Sequence, residues 1–90
     1  MIPIYYIKAE FYDYANNVKN ILEVNNIHAE VFPLGNKSIN NIIRTNPNAY
    51  KIIIGNLEVQ SNSLCIRKNP GHCDNIMLND LANYLDNFII

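Results

Sequence analysis

Charge is scarce in this sequence. Its 90 residues hold seven Lys and Arg against eight Asp and Glu, a net charge of −1 with both His neutral. That balance removes any general electrostatic case for nucleic-acid binding, so an RNA contact would need a local cluster of groups. Long apolar runs are also missing, and the longest is far too short to cross a membrane. The opening MIPIYYIKAEF has neither a basic segment nor a small-residue cleavage site, so it does not read as a secretory signal. Cys65 and Cys73 are the only cysteines. They are too few for a disulfide framework, and their spacing fits no common zinc pattern. They read as reduced intracellular thiols, from which a cytoplasmic setting follows, organelles included. Glycine is limited to three positions, and the loop KNPGHCDN, which holds one of them, makes no phosphate cradle.

What is present is apolar. Hydrophobic residues are 49% of the chain, which rules out a disordered polymer. The length predicts one domain over 1–90, able to bury one core but not a deep catalytic cleft as well. Asn dominates the polar remainder, and it favours turns over helices.

The pattern of elements is readable. IPIYYI (2–7) is rich in β-branched and aromatic residues and predicts a buried strand. Phe11, Tyr14, Ala15, Val18, Ile21 and Leu22 recur at helical spacing, and Asn25-Asn26 suits a left-handed C-cap. IHAEVF (27–32) alternates as a second strand, stopped by Pro33 and Gly35. Ser38 caps a predicted helix carrying Ile39, Ile42 and Ile43, ended near Asn46-Pro47. The continuous run YKIII (50–54) reads as a central strand. KNPGHCDN reads as a polar loop, and Leu78, Leu81, Ala82, Leu85, Phe88 and Ile89 predict a closing helix. Strand–helix–strand–helix–strand order implies parallel pairing with right-handed crossovers, a small mixed-sheet α/β sandwich.

Residues 57–66 predict a hairpin. With Ser61-Asn62 as the turn, Gln60 faces Ser63, Val59 faces Leu64, Glu58 faces Cys65 and Leu57 faces Ile66. Leu57, Val59, Leu64 and Ile66 then share a core face, while Glu58, Gln60, Ser63, Cys65 and Arg67 share a polar one. Glu58 and Arg67 become diagonal neighbours, roughly 7–8 Å apart. Two readings stand side by side: an exposed ion pair worth about 0–1 kcal/mol, or opposed hydrogen-bonding groups that grip the polar edges of a base.

The stretch Tyr50-Lys51-Ile52-Ile53-Ile54-Gly55-Asn56-Leu57-Glu58-Val59, followed by a polar turn and a strand ending in Arg67, resembles the anticodon-binding domain of class II aminoacyl-tRNA synthetases. That group serves His, Gly, Thr and Pro, and the threonyl enzymes are the nearest likeness. The resemblance spans nearly the whole chain: an opening strand, a helix ending in NNI before the second strand, and a closing helix after Met77. It implies a three-layer α/β sandwich with a small, mainly parallel mixed sheet of four to five strands and three helices. It also implies a noncatalytic module for the anticodon loop of a threonine-type tRNA, excised from a threonine–tRNA ligase or free-standing. By the same resemblance Glu58 reads the middle guanine, whose two N–H donors suit a carboxylate, and Arg67 is its partner on the neighbouring base. Splayed single-stranded bases are the usual target of such contacts. Asn36 falls in a loop that the family also places at the anticodon, and Lys37, Arg44 and Lys68 are the cations left for phosphates.

The departures are specific. SINNIIR lacks the family's glycine and lysine, and only Lys68 follows the strand-ending Arg. Fewer cations imply weak tRNA affinity and a shallow salt dependence. A repurposed homologue that binds a protein, as an accessory subunit, is the alternative. No catalytic residue, cofactor or metal is implied. His28 has no ligand partner at suitable spacing. His72 and Cys73 are adjacent loop residues without an oxyanion donor. The tyrosines at 5, 6, 12, 14 and 84 read as core or rim packing; Tyr50, which opens the third strand, is the exception.

Overall fold

The computed structural model describes residues 2–35, 50–67 and 74–86. Their elements are β1 (Ile2–Tyr6), α1 (Tyr12–Val24), β2 (Ala29–Pro33), β3 (Lys51–Ile54), α2 (Asn56–Ser61), β4 (Ser63–Arg67), β5 (Asp74–Met77) and α3 (Leu81–Asp86). Single 3₁₀ turns lead into α1 and α3. The five strands form one mixed sheet of order β2-β1-β3-β4-β5. The apolar run of β3 lies at its centre, as expected of a strand covered on both faces.

β1 pairs in parallel with β2 and β3, while β3–β4 and β4–β5 are antiparallel. The sheet is thus evenly divided rather than mainly parallel, because β5 adds a second antiparallel pair where the sequence places Asp74-Asn75 in a loop. Its sequence, DNIM, opens with two residues that disfavour strands. It is recruited by β4, with Leu64 opposite Ile76 and Cys65 opposite Asn75. The helix predicted over 38–46 lies outside the described residues, as do Phe88 and Ile89 of the closing segment.

Alternation along the strands decides the core. Ile4, Ile52, Ile54 and Leu64 are fully buried against Ala15, Val18 and Leu22 of α1 and Leu81 and Leu85 of α3. Each such aliphatic side chain contributes about 1.5–3 kcal/mol on burial. The opposite face carries Lys51, Ile53, Cys65 and Arg67, and beside them Tyr5 and Phe32 with ring centroids 5.9 Å apart. The end of α1 follows the Asn25-Asn26 expectation. Asn26 is left-handed at φ 65°, and the amides of Asn25 and Ile27 both donate to Leu22 O at 3.0 Å.

Two expectations fail. Residues 56–61 form the helix α2 instead of the first arm of a hairpin. A short run such as NLEVQ satisfies one helical turn as well as a strand, and local hydrogen bonding settles it. The Gly55 amide donates to Glu58 Oε1 at 2.8 Å, and the Val59 amide donates to Gly55 O at 3.1 Å. Asn62, at φ 53°, closes the helix from the left-handed region instead of forming a hairpin turn. The second failure concerns thiols. Cys65 is disulfide-bonded, and no cysteine among the described residues is free. Spacing alone gives no sign of this bond; Cys65 lies within β4, opposite Asn75 of β5. Cys73 and its neighbour His72 lie outside the described residues.

Candidate functional site

The geometry divides along β3. At its C-terminal end, Gly55 leads into α2, and Glu58 occupies the third position of that helix. A carboxylate there reaches back to the amide that precedes the helix and satisfies a donor that has no intrahelical partner. Glycine has no side chain to return the bond, so this is half of a capping box. The bond uses Oε1. A carboxylate oxygen can accept more than one hydrogen bond, so the group is oriented without being consumed. Gly55 contributes by its smallness. A Cβ at that position would lie 3.0 Å from Glu58 Oε1 and 3.6 Å from Ile7 Cδ1.

Glu58 is held from behind as well. The Tyr14 hydroxyl on α1 lies 2.7 Å from Ser63 O and 3.1 Å from Glu58 O. One phenolic proton is shared between these two carbonyls, tying α1 to both ends of the α2–β4 turn. Burial, and secondarily the Glu58 charge, pushes the Tyr14 phenol above its ordinary pKa. The Leu78 amide donates to Asn62 O at 2.8 Å, fixing the same turn from the β5 side.

Arg67 is elsewhere. It stands opposite Lys51, at the start of β3, so its backbone lies roughly 10 Å or more along the strand from the α2 end. The diagonal Glu58–Arg67 pair expected from a hairpin therefore does not form. In its place two cations face each other across a ladder, an arrangement that is destabilising in itself. Lys51 is 1% exposed, and burial lowers its pKa. Arg67 is partly buried, and its Nε is a buried donor without a hydrogen-bond partner. Near this end, on the core face, the Tyr84 hydroxyl lies 3.4 Å from Asp74 Oδ2. Burial raises its pKa, with smaller effects from Asp74 and Tyr50.

Of the remaining sequence-derived candidates, Asn36, Lys37, Arg44 and Lys68 lie outside the described residues. His28 is exposed, 3.7 Å from Glu23 and 3.8 Å from Glu30. Among the described residues no group of His, Cys, Asp and Glu could hold a metal ion, and no helix is long and apolar enough to cross a membrane. Helical spacing places Tyr14 on a packing face but conceals its role, which depends on contacts 44 and 49 residues away.

No family model and no curated protein matches the chain. Solved structures do. The RNA-binding domain of threonyl-tRNA synthetase from Cryptosporidium parvum Iowa II superposes with a TM-score of 0.76 at 18% identity, covering 97% of this chain and 23% of that one. Prolyl-tRNA synthetase from Cryptosporidium parvum, complexed with L-proline and AMP, gives 0.77 at 14% identity, covering 96% of this chain and 20% of that one. The chain thus spans less than a quarter of either structure's length. Its five-stranded mixed sheet with flanking helices has the fold of these class II synthetase domains.

Proposed function

We propose that residues 1–90 form a single noncatalytic module that binds the anticodon loop of a tRNA. The observation that carries this reading is the match of 97% of the chain to a synthetase RNA-binding domain. The site chemistry supports it. Glu58 offers an oriented carboxylate to a base with paired N–H donors, and Arg67 is a partly buried guanidinium whose Nε has no hydrogen-bond partner. Because the two lie at opposite ends of β3, they read different bases rather than clamping one. A threonine-type tRNA is the first candidate, and the module belongs either to a threonine–tRNA ligase or to a free-standing homologue in protein biosynthesis. Asn36, Lys37, Arg44 and Lys68 are proposed as supporting contacts.

Placement in the cytoplasm or an organelle rests on this reading alone. A bonded Cys65 withdraws the argument from reduced thiols, since stable disulfides are uncommon in that compartment.

The test is a titration at low salt with threonine-type tRNA and an anticodon-altered control, repeated for Glu58→Ala and Arg67→Ala. Wild type should discriminate, and Glu58→Ala should lose the discrimination. The net charge of −1 favours one second reading, a repurposed protein-binding subunit. Binding that is absent, or indifferent to the anticodon, would move the weight there.

A further inference from the structure

Five large apolar side chains are well exposed among the described residues, and three of them, Ile7 (37%), Tyr12 (49%) and Leu57 (75%), belong to the end of the sheet that holds Glu58. Their placement follows from contacts. The Ile7 amide donates to Ile54 O at 3.2 Å, and its Cδ1 borders Gly55. Leu57 immediately precedes Glu58 in the first turn of α2. The Tyr12 ring stands edge-to-face on Tyr6, with centroids 5.7 Å apart and planes at 74°, and Tyr6 is the register partner of Ile54. Lys8 is carried on the same β1–α1 connection, its Nζ 5.8 Å from the Phe11 ring centroid.

Scattered exposed apolar residues need no explanation. This group differs because it shares its end of the sheet with a carboxylate already turned by the Gly55 amide. An apolar protein surface laid over it would bury that charge with the Gly55 amide as its one donor, at substantial cost. An unpaired purine answers both features at once. Its edge supplies N–H donors to Glu58, and the neighbouring nucleotide supplies a π-face. Bases in single strands are held in this way, by aromatic stacking beside hydrogen bonds to the base edge.

We propose that Tyr12 is a stacking residue for the nucleotide next to the one read by Glu58, with Ile7 and Leu57 completing the shelf and Lys8 meeting a phosphate. The inference rests on the anticodon reading above. Tyr6 acts as a positioning residue by holding the Tyr12 ring upright.

The experiment uses the whole chain and RNA hairpins with the threonine-type anticodon loop, either intact or with one abasic nucleotide at each loop position in turn. Wild type, Tyr12→Ala and Tyr12→Phe are compared, with circular dichroism confirming that each is folded. Tyr12→Ala should weaken binding to the intact hairpin by about fivefold to a hundredfold, and Tyr12→Phe should bind within about twofold of wild type, since the π-face persists. One abasic position should weaken wild type by a similar factor and leave Tyr12→Ala nearly unaffected, while the preference dependent on Glu58 survives in both. If Tyr12→Ala binds as tightly as wild type while that preference is intact, the shelf is wrong and anticodon reading stands. The shelf is equally wrong if the substitution changes self-association in sedimentation but not RNA binding. Absence of hairpin binding by wild type removes both readings.

Discussion

The two ends of β3 handle charge in opposite ways. At the C-terminal end one acid is held by the Gly55 amide, and its helix is anchored through Tyr14. At the N-terminal end two cations, Lys51 and Arg67, sit across from each other, and one guanidinium nitrogen is buried without a partner. The first arrangement stabilises the fold and orients a group at the same time. The second sets like charges opposite each other, and an unpaired buried donor of this kind calls for an explanation. Glu58 is therefore both a structural and a candidate reading group, whereas Arg67 is a candidate whose Nε lacks a hydrogen-bond partner.

The sharpest way to break this comparison is to separate the two roles of Glu58. Glu58→Gln keeps an oxygen for the Gly55 amide but cannot accept a pair of N–H donors with both of its terminal atoms. It should lose about tenfold to a hundredfold of base discrimination, on the scale of bidentate base contacts, with a stability change under about 0.5 kcal/mol. Glu58→Ala should lose the discrimination and, in addition, about 1 kcal/mol of stability through the lost cap. Denaturant melts beside tRNA titrations measure both. Equal destabilisation by the two variants would show that the cap is not what holds Gly55.

Tyr14→Phe probes the support behind the acid. It removes a proton shared by two carbonyls, so unfolding should become easier by about 1–2 kcal/mol. Discrimination should fall in part, because the α2 backbone is less well fixed while the carboxylate stays in place. A variant that melts early but reads bases as wild type does would confine Tyr14 to stability.

At the other end the sign reverses. Arg67→Met removes one of two facing cations and the unpaired buried Nε, so stability should rise by about 1 kcal/mol. Affinity for tRNA should fall in the same variant. Opposite changes in the two measurements are the signature of a group retained for its ligand; a loss of stability would mean that Arg67 serves the fold.

How much of this was legible in sequence depends on where each constraint lies. YKIII announced a central strand because continuous burial needs continuous apolar residues. Asn25-Asn26 announced a helix end because the left-handed cap is local. The 56–61 helix was misread because six residues with apolar side chains at 57 and 59 fit two periods, and what separates them is an amide-to-carboxylate bond invisible in the pattern. DNIM was missed because its strand character comes from its partner β4 and not from itself. The same holds for the site. Glu58 and Arg67 were found by motif, but their separation along β3 follows only from the register, and Tyr14 acts through contacts more than forty residues distant.

The smallest expected effect compares two phenols. Tyr14 and Tyr84 both have raised pKa values, chiefly through burial, with Glu58 and Asp74 as the respective neighbouring charges. A raised pKa means that the folded state holds the phenolic proton more tightly than the unfolded chain does. The associated stability is therefore present in full below the unfolded value near 10, and it is lost as pH rises through the folded one. Both tyrosines should make the protein less stable under alkaline conditions. They should differ at neutral pH, because the Tyr84 contact to Asp74 is long at 3.4 Å and such bonds are weak, while Tyr14 makes a contact of 2.7 Å. Tyr84→Phe should thus change the neutral-pH melt by less than about 0.5 kcal/mol while removing part of the alkaline decline. Tyr14→Phe should remove a comparable part only after its larger loss at neutral pH. Melts from pH 7 to 11 on the two variants measure this, and an alkaline slope unchanged by Tyr84→Phe would show that its phenol titrates alike in the folded and unfolded chain.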